Sequence, residues 1–397
     1  MKRLLIVASC LCLSATAYAC INDRDSDTLE REGKGLPPVL QIVTGRFERN
    51  PPQYFEMRLA RVTKELAANP NQLSLYDDAA VASDRLGRSA EAITWIEKKR
   101  TVLQKMAPSP ETKDKALREA WYRYYANGGT FIAHRWIHDG ADRTKIAEMK
   151  TARAMIAKAI HIKPDAHFGR EKYQLMAMDW IIKAPVDANH SLTNSINLYA
   201  DESKGMMAEE KQHFLKQHGL TDAVEGLTGL VALGAAWESV DVFYSLQGAL
   251  NYAGKGNTEE MVRLRTIELI DRGRTSLHPD APLASQLKFA IASPFVPPAG
   301  QYTHSQRTEI FQRLRDEADD YHARRTAYTT ERMNKGLHPD THPDFWKEWH
   351  DAGPPPARPF TFWEKRGSSI LLIGLTLVAS LVGLKVKTRR RKAALVK

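Results

Sequence analysis

Cysteine is nearly absent from this chain. Its 397 residues hold Cys10, Cys12 and Cys20, and none beyond position 20. Most of the chain therefore has no thiol to close a disulfide or ligate zinc, and its stability has to come from a packed core. Alternating strand patterns of any length are missing too. Gly35 to Thr44 is the one stretch that reads as extended, and it reads equally as a turn entering a helix. There is no HExxH, no GxSxG, no P-loop and no dinucleotide glycine pattern. No catalytic residue is assigned and no cofactor is implied.

Unbalanced charge is also scarce once the ends are set aside. The formal net charge is +10, from 57 Lys and Arg against 47 Asp and Glu. Lys2 and Arg3 open the chain, and seven more basic residues lie in 385–397. Neither end carries an acid, so 48 basic residues face 47 acidic ones between them. No long basic stripe remains to displace counterions from a phosphate backbone, which argues against nucleic acid as a partner.

The ends read as targeting segments. Leu4 to Leu13 has the length of a signal-peptide core, and Ala17-Tyr18-Ala19 supplies a small-x-small cleavage site. Residues 1–19 are thus expected to be a signal peptide, leaving Cys20 first. A Cys at that place also opens lipid attachment, although Ala17 and Tyr18 depart from the usual lipobox. Residues 368–384 carry no charge and are mostly apolar, about 25 Å of helix at about 1.5 Å per residue. Lys385, Lys387, Arg389, Arg390, Arg391 and Lys392 follow, and such a run stays cytoplasmic. The expected topology is a single-pass membrane protein with its large region facing away from the cytoplasm. A short apolar helix before an Arg cluster also resembles a bacterial surface-sorting tail, without the Pro-Glu-Pro or Gly-Gly marker.

Residues 20–292 read as almost wholly helical. Stretches rich in Ala, Leu, Glu, Lys, Arg, Met and Gln alternate with short breaks. The expected breaks include Asn69-Pro70-Asn71, Gly128-Gly129, Lys163-Pro164-Asp165 and His278-Pro279-Asp280. Ser293 to Pro298 then separates this body from a long polar helix over Ser305 to Lys335 and a His-rich loop, within 293–352. Residues 353–367 read as a Pro-rich, extended spacer to the membrane. Phe360, Phe362 and Trp363 suit the interfacial belt.

One full window and two partial ones fit a helical repeat of 34 residues. From Leu73 the chain runs LSLYDDAAVASDRLGRSAEAITWIEKKRTVLQ. Tyr76, then Ala79 and Ala80, suit a first helix that approaches a neighbour closely. Gly87 suits a left-handed cap, and Ala92 and Ile96 lie four apart on a second helix. Ala152, Ile156, Ala159 and Pro164 repeat the second half. Val242, Ala249, Tyr252 and Gly256 match more weakly, with Arg265 and Glu268 where apolar residues belong. The windows resemble the tetratricopeptide repeat over roughly 100 to 150 residues. An unrelated helical bundle is the alternative. The fold class expected either way is all-α. The resemblance implies a helical-hairpin solenoid with a concave face that holds a protein or peptide segment. Carried onto the best window, Asp77, Val81, Asp84 and Arg85 would point inward, as binding residues or as a solvated helix face.

Two clusters remain. Trp121 and Tyr125 share a helix face within Trp121-Tyr122-Arg123-Tyr124-Tyr125, as a groove lining or as core between helices. Nearby Trp136 follows the same argument. His338-Pro339-Asp340-Thr341-His342-Pro343-Asp344 offers His338 and His342 as weak metal candidates in a turn-rich loop. His134 and His138 lie four apart. The leading expectation is a membrane-anchored extracytoplasmic scaffold that docks a partner segment. An envelope enzyme with an unrecognised site is the alternative.

Overall fold

The computed structural model describes residues 22–25, 36–164, 170–182, 208–278, 302–362 and 365. Among these the fold is all-α, with twelve α-helices and no strand. They are α1 (Val39–Thr44), α2 (Pro52–Ala68), α3 (Leu73–Arg85), α4 (Ser89–Met106), α5 (Lys115–His138) and α6 (Ile146–Ile162). α7 (Arg170–Ile182), α8 (Ala208–Gln217), α9 (Ala223–Ala232), α10 (Val240–Tyr252), α11 (Gly256–Asp271) and α12 (His304–Asn334) follow. No helix among the described residues is long and apolar enough to cross a membrane. The expected signal peptide, Cys20, the prolines at 294–298 and residues 368–384 all lie outside the described residues.

Local chemistry explains the helix ends. α3 closes on Gly87 at φ +76°, with Gly87 N–H on the Asp84 carbonyl and Arg88 N–H on that of Ser83. That hydrogen-bond pair satisfies carbonyls the helix would otherwise leave open. Asp114 caps α5 by accepting from the amides of Ala116 and Leu117. Thr303 and Gln306 form a reciprocal capping box at the start of α12. α12 lies within one residue of the range read from the sequence, and residues 39–44 form a helix and not an extended piece.

One expected break is not a break. Gly128 and Gly129 lie in the middle of α5, which runs through them. A Cβ on Gly129 would stand 2.8 Å from the Ala152 carbonyl and 3.0 Å from Ile156 of α6. The glycines serve close packing of two helices, which outweighs their poor helix propensity.

Consecutive helices pack in chain order from α2 through α7; α9 continues the path to α10 and α11. Ala92, Ile96, Ala152, Ile156 and Ala159, the small and branched residues of the sequence windows, are all buried. An isoleucine removed from water in this way contributes about 1.5–3 kcal/mol before chain entropy is counted. Arg265, which departs from the repeat pattern, is buried as well. Its guanidinium lies 3.8 Å from the Trp237 ring centroid and meets Glu268 at 2.9 Å. Stacking and pairing let a charge occupy an apolar position.

The long helix does not stand apart from this body. α12 packs on α11, α1 and α2, so it reaches from the last helix of the path to the first. At its middle, Arg315 donates to the Thr44 carbonyl at 2.6 Å, beside Gly45 at φ +93°. A Cβ on Gly45 would lie 2.7 Å from that guanidinium and 2.8 Å from Trp237. The proline-rich spacer, where described, also lies along α12. Arg313 bonds the carbonyls of Pro356 and Arg358, and Phe360 N–H donates to Glu309 at 2.9 Å.

Two substitutions test these packing claims. Gly129→Ala should lower stability by about 1–3 kcal/mol even though alanine is the better helix former, because the new methyl meets a backbone carbonyl. Gly87→Val should cost on the order of 1 kcal/mol or more through its positive φ alone, since no atom crowds that position. Thermal melts by circular dichroism read both; a Gly129→Ala variant as stable as the parent refutes the close approach.

Candidate functional site

Helices α3, α5 and α7 present polar side chains to one another along one face. On α3, Asp77, Asp78, Val81, Asp84 and Arg85 recur at helical spacing. α5 answers with Tyr122, Asn127, Thr130 and His134, and α7 with Glu171 and Gln174. Asn127 donates to Asp77 at 3.1 Å, and His134 Nδ1 meets the Asp84 carboxylate at 2.7 and 2.8 Å. Tyr122 donates to Glu171, and Gln174 to Thr130 at 2.9 Å. Lys99 of α4 reaches through to both oxygens of Asp77 at 2.8 and 2.6 Å. These residues, apart from Arg85, are buried, so each polar group depends on its partner.

A short piece of the chain's own N-terminal region lies against this face. The Asn22 amide donates to Asn127 Oδ1 at 2.8 Å, and Asn127 Nδ2 returns a bond to the Asn22 carbonyl at 2.9 Å. One side-chain amide thus reads both backbone groups of one residue. Arg24 N–H donates to Asp78 at 3.0 Å. Next to it Arg58 of α2, with no solvent access, bonds Asp23 at 3.2 Å, Asp25 at 2.7 and 3.0 Å, and Asp340 at 2.6 and 2.9 Å. Arg61 adds a second guanidinium on Asp340 at 2.6 Å.

Burial and pairing set the protonation of these groups. Burial pushes the Asp77 carboxyl up and the Lys99 ammonium down, and their contact opposes both shifts. Burial raises Asp78 to about 6, outweighing the nearby guanidinium of Arg58 and the Arg24 amide. Asp340 moves the other way: burial works against its charge, but the Arg58 hydrogen bonds and charge hold it at about 2. The Asp84 carboxyl is likewise below its usual range because His134 overrides burial.

The residues singled out in the sequence fall into two sets. Asp77, Val81 and Asp84 do share one face of α3, but they are buried and not solvated, and the two acids are already paired. Arg85 donates to the carbonyls of Gly234 and Leu233 at 2.9 and 3.0 Å, past the end of α9. Trp121 and Tyr125 are away from this face. Trp121 is buried in the core of α3 to α6, donates to the Ala107 carbonyl at 3.2 Å and stacks on the half-buried Tyr125 at 5.8 Å. Trp136 is also core. His338 is used up locally: Nε2 meets the Tyr54 carbonyl at 3.1 Å, and Nδ1 accepts from Asp340 N–H at 3.1 Å. His342 Nδ1 lies 2.9 Å from Thr341 Oγ1. Among the described residues no group of three or more His, Cys, Asp or Glu is placed to hold a metal.

Sequence reading missed Asn127, Asp78, Arg58 and Asp340. Asn127 stands just before Gly128-Gly129, where a loop was expected. Arg58 and Asp340 are ordinary surface residue types, and only the fold brings them together.

His134, Asp84, Ser89 and His138 form the arrangement closest to catalytic chemistry. Ser89 Oγ, however, donates to Asp84 at 3.3 Å and meets His138 Nδ1 at 3.2 Å. The hydroxyl is bonded to the acid and to the second histidine, not to His134 Nε2. With its proton donated to Asp84, the hydroxyl has none to give His138, and the set is a hydrogen-bonded crosslink between α3, α4 and α5.

Lys99→Met should cost about 3–5 kcal/mol by leaving Asp77 charged and buried, and adding Asp77→Leu should recover a large part. Denaturant melts of both variants decide it; equal loss in the double variant refutes the pairing. Asp78 supplies a pH test. Its folded value lies above the usual 3.8, so its contribution is fully present below about 3.8 and lost as pH rises through about 6. Asp78→Asn should therefore be more stable than the parent at pH 7.5, by roughly 1–3 kcal/mol, with the gap closing near pH 4. A gap that widens on acidification overturns the assignment.

Comparison of the chain with protein-family models, with curated proteins and with solved structures returns no match.

Proposed function

We propose that this protein is a scaffold that binds an extended segment of a protein partner along the inner face of a tetratricopeptide-like helical-hairpin stack. A C-terminal membrane helix would hold it on the outer side of a bacterial inner membrane, with the stack in the periplasm. The observation that carries the binding reading is the paired contact of Asn127 with the Asn22 N–H and C=O. Backbone bonds of this kind give affinity without regard to side chain, and neighbouring charges then select sequence. The membrane placement rests on the sequence alone, through Lys2, Arg3, residues 368–384 and the basic run after Leu384.

The arrangement also decides which variant tests binding. Asp84 and Arg85 look like free inner-face charges in the sequence, yet both hold helices together, so replacing them would unsettle the fold. Asn127 also bonds Asp77, but Asp77 keeps both its bonds to Lys99 when Asn127 is truncated, so Asn127→Ala is the better probe. Crosslinking in membranes should recover a partner with the parent chain and about tenfold less with Asn127→Ala, for the loss of about 1.4 kcal/mol of backbone bonding. The helical circular dichroism signal should persist. Equal recovery places binding elsewhere. Alkaline phosphatase fused before Ser368 should be active and fused after Lys397 inactive; the reverse pattern removes the membrane placement.

A further inference from the structure

We propose that residues Asn22–Asp25 are a resident occupant of this binding face, held in cis, and that the partner it gives way to is an acidic peptide with the same contact chemistry. The inference rests on the scaffold reading and adds to it the class of partner and a competitor built into the chain.

The four residues show what the face accepts. Asn22 is read by its backbone, through Asn127, and by its side-chain oxygen, which accepts from the Tyr122 hydroxyl at 3.4 Å. Arg24 is read by its backbone N–H on Asp78 at 3.0 Å, and its side chain, about one-third exposed, pairs with Asp78 at 3.6 Å and donates to the Asp340 carbonyl at 3.3 Å. Asp23 and Asp25 present alternate carboxylates to Arg58. Main-chain bonds at Asn22 and Arg24 and acidic side chains at Asp23 and Asp25 carry the recognition, in a turn that Asp25 N–H closes on Asp23 Oδ1 at 3.1 Å as residues 24–25 enter a helix.

The same contacts show why the occupant can leave. Asn22, Asp23, Arg24 and Asp25 contribute no side chain to any of the three apolar cores. Every bond they make is polar and can be remade with a second peptide. Arg58 keeps Asp340 when Asp23 and Asp25 depart, so the guanidinium is not abandoned. A tethered segment competes at an effective concentration in the millimolar range, so it masks a free peptide of similar intrinsic affinity.

The test uses the full chain in detergent and a fluorescein-labelled peptide with the sequence of residues 21–26, Ile-Asn-Asp-Arg-Asp-Ser. Asp23→Ala with Asp25→Ala in the chain loosens the resident segment. Fluorescence anisotropy should show the peptide binding this variant at least about tenfold more tightly than the parent. Adding Asn127→Ala should abolish that gain, and a peptide with both aspartates replaced by alanine should bind about tenfold more weakly. Hydrogen exchange supplies a second reading on the unaltered chain. The Asn22 and Arg24 amides should exchange slowly, and faster in excess peptide. No saturable binding to a folded, loosened chain overturns the proposal, as does equal binding of the alanine peptide. If the loosened chain does not fold, unchanged exchange of both amides in excess peptide overturns it. Peptide binding without any crosslinked partner would sink the scaffold reading and leave the site. Partner recovery insensitive to Asn127→Ala, with no peptide binding, would sink the site alone.

Discussion

A guanidinium shut away from water persists only where carboxylates surround it, and Arg58 draws them from distant parts of the chain. Asp23 and Asp25 come from the N-terminal side, and Asp340 from the loop after α12. Burial alone would pull the arginine toward neutrality, but Asp25 and its neighbours hold the charge well in place. The cost of removing one charge from water is several kcal/mol, so the guanidinium needs Asp340 beside it, and Asp23 and Asp25 add to that pair. The position of residues 22–25 and the seating of the loop after α12 both depend on this guanidinium.

The face shared by α3, α5 and α7 is polar and yet dry, a combination that makes geometry exacting. Asp77, Asp84, Glu171 and Gln174 each meet a partner on another helix, so a shift of one helix against the next would strand several groups together. This favours a fixed spacing of α3, α5 and α7 over raw stability, because apolar residues in the same places would pack at least as well. A face of fixed spacing suits the reading of a main chain, whose donors and acceptors recur at set intervals.

Much of the helical framework was legible in residues. Gly87, Ala92 and Ile96 signalled a tight turn and a close second helix, and each does what its chemistry suggested. Gly128-Gly129 misled because the same lack of a side chain serves a turn and a close helix contact, and only the neighbour Ala152 distinguishes them. Asp84 and Arg85 looked solvated because helical spacing shows which residues share a face but not what covers it. Of the two readings of Trp121 and Tyr125, groove lining or core, the structure has Trp121 in the core with Tyr125 packed against it. Asn127 and Arg58 were not legible, since their meaning lies in residues about a hundred or more positions away, Asn22 and Asp340. Arg265 departed from the repeat pattern without departing from the core, because Trp237 supplies a face for it.

Linear stacks of helices unfold from their ends, since a terminal unit is supported on one side only and its loss exposes the next. α12 changes that arithmetic. With about 46 Å of helix at about 1.5 Å per residue, it fastens α11 to α1 and α2. Neither end of the path then frays independently, because peeling one away also breaks contacts with the other. The stack acquires the all-or-none character of a closed ring, and local opening is confined to segments that α12 does not clasp.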